Sequence, residues 1–266
     1  MQHFMIDGFR GYRSRFDDIK LVQEILEEFP AQLGLQPVMP SFLLPYYNGV
    51  VPEDCGVSAF LFLRGGHMTI HTFSFRECYF ADLLSLVPFD ARKLELQLQT
   101  ALHCSTITVR SAERKDRVFG EVRTDPESDF GPHVLMEVAD YRGPRTMDTM
   151  FELMDSLPRR IGMTPIMRPY VVRDTTDARG PIISAMTMIA ESHVSLHVLE
   201  NENRAFFDIF SCTFFEYEPV MRTIRADLPG TIVQEVLTAR GKEYKTLRRG
   251  RDEEQERSKV WLRALA

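Results

Sequence analysis

Two stretches decide the fold: GVSAFLFLRGGHMTIHTF at 56–73 and PIISAMTMIAESHVSLHVL at 181–199. Aligned without a gap, they pair Ser58 with Ser184, His67 with His193 and His71 with His197. Alternating β-branched and apolar residues make each stretch read as strand, short break, strand. The correspondence continues upstream, where HFMIDGFRG at 3–11 is answered by HVLMEVADY at 133–141, two strands with an acid, Asp7 or Glu137, at the fifth position. Amphipathic helices follow: Ile19, Val22, Ile25, Leu26 and Phe29 fall at helical intervals, as do Met147, Met150, Phe151, Met154 and Leu157. FPAQLGLQPVM at 29–39 and LPRRIGMTPIM at 157–167 then share Pro, Gly, Pro and Met at identical offsets, and Gly34 and Gly162 are expected to end the helices. Beyond the central stretches, YFADLLSL at 79–86 and AFFDIFSC at 205–212 read as strands, with helices near 89–102 and 218–227.

The chain is therefore one unit written twice, over 1–110 and 132–240. A polar link at 111–131 joins the copies, and a charged helical tail at 241–266 follows, with Trp261 pinning a solvated helix to the body. Runs of strands with segregated helices indicate α+β, each sheet covered by helices on one face. The two free faces bury each other, giving a four-layer helix–sheet–sheet–helix sandwich of mainly antiparallel sheets.

With 44% hydrophobic and 26% charged residues over a length of 266, the chain can fold without disulfides or metal staples. A total of 32 Lys and Arg against 38 Asp and Glu gives a net charge of −6, which argues against nucleic-acid binding. The expected partners are small molecules or a second copy of the chain in a homodimer. No apolar run approaches the ~20 residues of a membrane crossing, and MQHFMIDGFR lacks the features of a secretory signal. Cys55, Cys78, Cys104 and Cys212 form no CxxC pair, so reduced thiols in the cytoplasm are expected.

Both HMTIH and HVSLH carry histidines four residues apart. On a strand that spacing separates same-face side chains by about 13 Å, so one ion cannot take both and no metal site is expected. His67 and His193 then read as hydrogen-bonded or half-exposed strand residues. A hydrolase built on Ser192 and His197 is disfavoured, because no GxSxG elbow is present. What the copies do not share says more: Glu191-Ser192-His193 replaces Gly65-Gly66-His67, and Cys212 replaces Leu86. A nucleophilic hydroxyl and a thiol have one home each, while the serine and histidine framework has two.

Glu191-Ser192-His193, with Ser184 eight residues before the serine, His197 five after it and FDIFSC ending in Cys212, resembles the signature of prokaryotic-type S-adenosylmethionine decarboxylases. The HFMID and HVLME openings fit that family's first strand, and the resemblance spans both copies, as a tandem duplication with a degenerate first repeat. It implies that Ser192 Oγ attacks the Glu191 carbonyl and that elimination from the ester, with water then replacing the serine nitrogen as ammonia, leaves fragments 1–191 and 192–266, the second starting with a pyruvoyl group. It also implies that this ketone forms a Schiff base with a substrate amine and accepts the electron pair released with CO2, and that Cys212 returns the proton. In relatives made of two identical subunits the site is composite. The resemblance therefore implies one live site between the sheets, with Ser192 and Cys212 from the second repeat and Ser58 and His71 from the first assisting processing. Ser184 and His197 are the second-repeat counterparts of that pair.

Two departures bear on substrate. Where the family carries a glutamate suited to ribose, this chain has Phe75 and Asn201, and Glu200 stands one residue out of register. Pro52 and Ala178 occupy the place of an adenine-stacking aromatic, for which Tyr46, Tyr47 and Phe73 are candidate substitutes. Asp7 and Glu137 read either as solvent-facing acids or as carboxylates near the pyruvoyl group, and with Phe75 they make up the candidate substrate contacts. The leading expectation is decarboxylation of S-adenosylmethionine for spermidine and polyamine synthesis. Arginine or ornithine as substrate, or a non-catalytic regulatory role, are the alternatives.

Overall fold

The computed structural model describes residues 1–46, 55–113, 124–190, 192–246 and 248–250. The first repeat runs β1 (Gln2–Phe9), α1 (Arg13–Phe16), α2 (Ile19–Gln32), β2 (Phe42–Tyr46), β3 (Gly56–Leu63), β4 (Gly66–Phe73), β5 (Cys78–Ser85), α3 (Ala91–Leu102) and β6 (Thr106–Glu113). The second runs β7 (Gly131–Ala139), α4 (Met147–Arg160), β8 (Tyr170–Asp174), β9 (Ile182–Ile189), β10 (Ser192–Leu199), β11 (Arg204–Ser211), α5 (Tyr217–Asp227) and β12 (Thr231–Arg240). The repeats build sheets of the same order, β2-β3-β4-β5-β1-β6 and β8-β9-β10-β11-β7-β12. Within each sheet the central ladder is an antiparallel hairpin that sets Ser58 opposite His71 and Ser184 opposite His197.

Local chemistry fixes the helices. The Asp18 and Asp90 carboxylates accept the backbone N–H groups of Leu21 and Lys93, both at 3.0 Å, and Thr146 and Thr149 cap α4 reciprocally. Gly34 (φ 77°) and Gly162 (φ 79°) end α2 and α4 as expected. Leu35 N–H donates to Pro30 O at 2.9 Å and Met163 N–H to Pro158 O at 2.8 Å, the closing bonds of Schellman turns. The helices cover the outer faces. Val22, Ile25, Leu26, Leu94 and Leu98 pack on Val57, Ala59, Leu61 and Ile70, while Met150, Met154 and Leu157 pack on Ile183, Ala185, Val194 and Leu196. Each such aliphatic chain contributes roughly 1.5–3 kcal/mol of transfer free energy, so these two outer cores hold most of the stabilising burial.

The sandwich is the expected one, with two added strands in each sheet. The four edge strands, β2 and β8 of only five residues each and the longer β6 and β12, do not stand out in the sequence. FLLPY carries a proline, and TIVQEVLTAR is half-buried along most of its length, so neither shows clean alternation. The link read at 111–131 is shorter than that, since β6 runs to Glu113 and β7 starts at Gly131. Trp261 and the rest of 251–266 lie outside the described residues.

Candidate active site

The faces that meet between the sheets are not simply apolar. Strand alternation sends Val194, Leu196 and Val198 to the helix side, which leaves His193, Ser195 and His197 between the sheets. Parallel choices in the other strands bring His3, His67, His71, His133, Asp7, Asp82, Asp208 and Arg240 to the same layer, each at most 2% exposed. His67 and His193 are fully buried, so the half-exposed reading of these residues is ruled out.

Hydrogen bonds cross this layer from repeat to repeat. Ser58 Oγ lies 2.9 Å from His71 Nδ1, and His71 Nε2 lies 2.8 Å from His193 Nδ1. The second series mirrors the first: Ser184 Oγ is 2.8 Å from His197 Nδ1, and His197 Nε2 is 2.7 Å from His67 Nδ1. The paired rings stack at 5.0 Å in both series. The symmetry fails at the far ends. His193 Nε2 is 3.1 Å from Asp208 Oδ2, whereas His67 Nε2 has no hydrogen-bond partner among the described residues. The cause is Arg240, which draws Asp82, the first-repeat counterpart of Asp208, into its own cluster. Its guanidinium donates to Asp7 Oδ1 at 2.6 Å, Asp82 Oδ1 at 2.7 Å and His133 Nδ1 at 3.0 Å, while Gly241 N–H donates to Asp7 Oδ2 at 2.8 Å.

Burial dominates the electrostatics. It pushes His67 and His71 well below the ordinary histidine range, and His133 down to about 4. For Asp82 and Asp208 burial alone would raise the carboxyl, but Arg240 beside Asp82 and the histidines around Asp208 hold both below the usual range. At neutral pH Asp82 and Asp208 are therefore ionised, and His67, His71 and His133 are neutral.

The remaining candidates fall as follows. Ser192 opens β10, opposite Ser211 and Ile189; its Oγ is buried without a hydrogen bond among the described residues, and its φ of 153° is one that side chains rarely adopt. Glu191 lies outside the described residues. Cys212 follows β11, half-buried, against a cluster of Phe9, Phe73, Cys78, Phe80, Phe130, Phe210 and Tyr244, and none of the four cysteines is disulfide-bonded. Phe210 joins this cluster to the histidines, its ring 5.9 Å from that of His71. Asp7 and Glu137 are not solvent-facing: they are 2% and 3% exposed, and Arg240 and Arg204 neutralise them, because charge on an inner strand face is retained only when paired. Phe75 sits in the turn after β4, 38% exposed, under the Arg13 guanidinium and away from the inter-sheet layer. Glu200 pairs outward with Arg173 at 2.6 Å. Phe73 is buried in the aromatic cluster; Tyr47 and Pro52 lie outside the described residues, and the Tyr46 side chain is not described.

Sequence reasoning did not pick out His3, His133, Asp82, Asp208 or Arg240. Four of these had a visible signal, since His3 and His133, and Asp82 and Asp208, hold matching places in the two copies and interrupt apolar strands. Arg240 had none.

A twofold-repeated α+β sandwich with a polar layer of histidine, serine and aspartate between its sheets is the class these observations define. A profile of the S-adenosylmethionine decarboxylase family matches residues 2–115 and again 132–241, and the chain belongs to that family as two fused copies. Among solved structures, the chain is similar to the adenosylmethionine decarboxylase from Aquifex aeolicus VF5, at 18% identity over 47% of this chain and 96% of that one, with a TM-score of 0.37. A protein of unknown function from Galdieria sulphuraria matches at 10% identity over 90% and 96% of the two chains, with a TM-score of 0.22. No curated protein matches.

Proposed function

We propose that the chain is a pyruvoyl-dependent decarboxylase that cuts itself between Glu191 and Ser192 and acts on S-adenosylmethionine, supplying polyamine synthesis in the cytoplasm. The observation that carries this reading is the cross-repeat series Ser58, His71, His193, which passes through the residue next to Ser192. Ser184 and His197 turn instead to His67, whose neighbour Gly66 has no hydroxyl. The pair bonded to the residue after the nucleophile is thus the one from the first repeat, which supports its role in processing.

The residues at Ser192 fit the conversion. Its hydroxyl is buried and not engaged with another described residue, which leaves it available for attack on the preceding carbonyl. The backbone at this residue holds strain of order 1–3 kcal/mol, which a cut would release. Because Ser192 is the first residue of β10, cleavage before it leaves the ladders to β9 and β11 in place. His71, kept neutral by burial, can take up a proton, and Ser58 holds its ring through Nδ1. A pyruvoyl ketone at the new chain start would supply the electron sink for loss of CO2. Cys212, next after the strand partner of Ser192, is the proposed source of the proton that replaces the carboxylate.

The outward pairing of Glu200 with Arg173 favours a second substrate reading, arginine or ornithine, since no acid then stands in the ribose-holding position. Release of CO2 from carboxyl-labelled S-adenosylmethionine, arginine and ornithine separates these readings. Release from S-adenosylmethionine is expected. Release from arginine or ornithine alone would move the substrate and keep the chemistry, and release from none would leave a non-catalytic homologue.

A further inference from the structure

Three ligand atoms converge at the centre of the sandwich, from opposite repeats. Ring nitrogens of His67 and His193 and a carboxylate oxygen of Asp208 all lie within 4.8 Å of one another, and all three side chains are completely buried. His193 Nε2 and Asp208 Oδ2 are already 3.1 Å apart, close to the roughly 3.3 Å edge of a tetrahedral site with 2.0–2.1 Å bonds. His67 Nε2 is aimed into this space with no hydrogen bond among the described residues. A buried ring nitrogen without a partner is unfavourable, and an ion would satisfy it. The layer also sets three carboxyl groups, Asp7, Asp82 and Asp208, against one guanidinium, Arg240, an excess of negative charge that a divalent cation would balance.

We propose that His67, His193 and Asp208 bind a divalent transition ion of the zinc class on the axis relating the two repeats. Two imidazoles and a carboxylate suit such an ion, and a fourth position is left for water. The outer hydrogen bonds agree with this ligand set. With Nε2 on the ion, His67 carries its proton on Nδ1 and donates to His197, which in turn donates to Ser184; His193 likewise donates to His71, and His71 to Ser58. Each ligand histidine thus hands its second nitrogen to a histidine and then to a hydroxyl. His133, 3.5 Å from Asp208 Oδ2, supports the carboxylate but is not a ligand, because its Nδ1 accepts from Arg240 and the ring's one proton is therefore on Nε2. This assignment does not depend on cleavage at Ser192.

Because the ligands are sealed from solvent, loading is tested on refolding. The protein, whole or as its two fragments together, is unfolded with chelator, refolded with Zn2+ or with Co2+, desalted, and its metal counted by mass spectrometry. About one ion per chain is expected, with the intense visible absorption of low-coordinate Co2+. His67→Gln and Asp208→Asn should each weaken Zn2+ binding at least about tenfold, whereas His103→Gln, at the exposed histidine, should not. Refolded parent protein with native circular dichroism and less than about a tenth of an equivalent of metal would overturn the proposal, as would His67→Gln protein that binds as tightly as the parent. Should both ligand variants fail to fold, the parent decides alone: a weak octahedral Co2+ spectrum places the ion elsewhere and refutes the site.

Discussion

Replacing Arg240 by methionine strands two carboxylates in the middle of the molecule. The side chain comes from β12 of the second repeat, while its anionic partners, Asp7 at 2.6 Å and Asp82 at 2.7 Å, belong to β1 and β5 of the first. Methionine keeps most of the packing volume against the Phe210 ring, 4.9 Å from the guanidinium, and removes only the charge and its donors. Breaking one buried pair by deleting one partner costs about 3–5 kcal/mol, most of it the penalty on the stranded ion. Asp7 retains the Gly241 N–H, and Asp82 has the more distant His3 at 3.5 Å, so the loss belongs near 4–5 kcal/mol rather than twice the single-pair figure. For a chain of this size that is a fall in Tm of roughly 8–20 °C. Urea unfolding followed by circular dichroism reads the loss directly, with an unchanged slope if only the native state is affected. The triple variant Asp7→Asn, Asp82→Asn, Arg240→Met removes the stranded charges and should recover most of the stability. A single variant within about 1 kcal/mol of the parent, or a triple variant no better than the single, would refute the reasoning.

Three further outcomes are expected. His71→Ala should slow appearance of the two fragments by about tenfold or more, while His197→Ala, on the series that ends at His67 beside Gly66, should slow it less; equal effects would dissolve the cross-repeat assignment. Cys212→Ser should leave cleavage unchanged and cut CO2 release by at least about tenfold, so loss of cleavage in that variant would place the thiol in maturation instead. Gly66→Ala should cost about 1–3 kcal/mol in thermal unfolding, because its Cβ would meet Leu84 O at 1.9 Å, on the backbone of the neighbouring strand; a neutral result would mean that β4 yields there.

That last contact explains part of what the sequence displayed without its cause. The first repeat lacks a side chain at Gly66, and the close approach of β5 leaves no room for one. The duplicated architecture was readable because each helix end and each central hairpin carries its own local signal, a glycine at positive φ or an alternating strand, and each signal occurs twice. The outer strands were not, since a proline in β2 and half-burial in β12 erase alternation. Within the site, Ser58 with His71 and Ser184 with His197 follow from hairpin register alone. The bonds of His67 to His197 and of His71 to His193 do not, because the partners lie 130 and 122 residues apart and meet only when the sheets pack. A spacing of four along one strand speaks only to ligands from that strand, where His67 and His71 bond different partners, and says nothing of ligands drawn from two. The solvent-facing reading of Asp7 and Glu137 failed for a related reason: nothing near either acid in sequence announces Arg240, while Arg204, two residues before Phe206, the ladder partner of Glu137, is recognisable only once β11 and β7 are paired.

Whether the protein cuts itself is read from the mass of the purified material. Two fragments are predicted, one ending at Glu191 and one beginning at position 192 with a blocked start, and Ser192→Ala is predicted to remain whole. A single intact species of 30.7 kDa in folded parent protein would contradict this prediction.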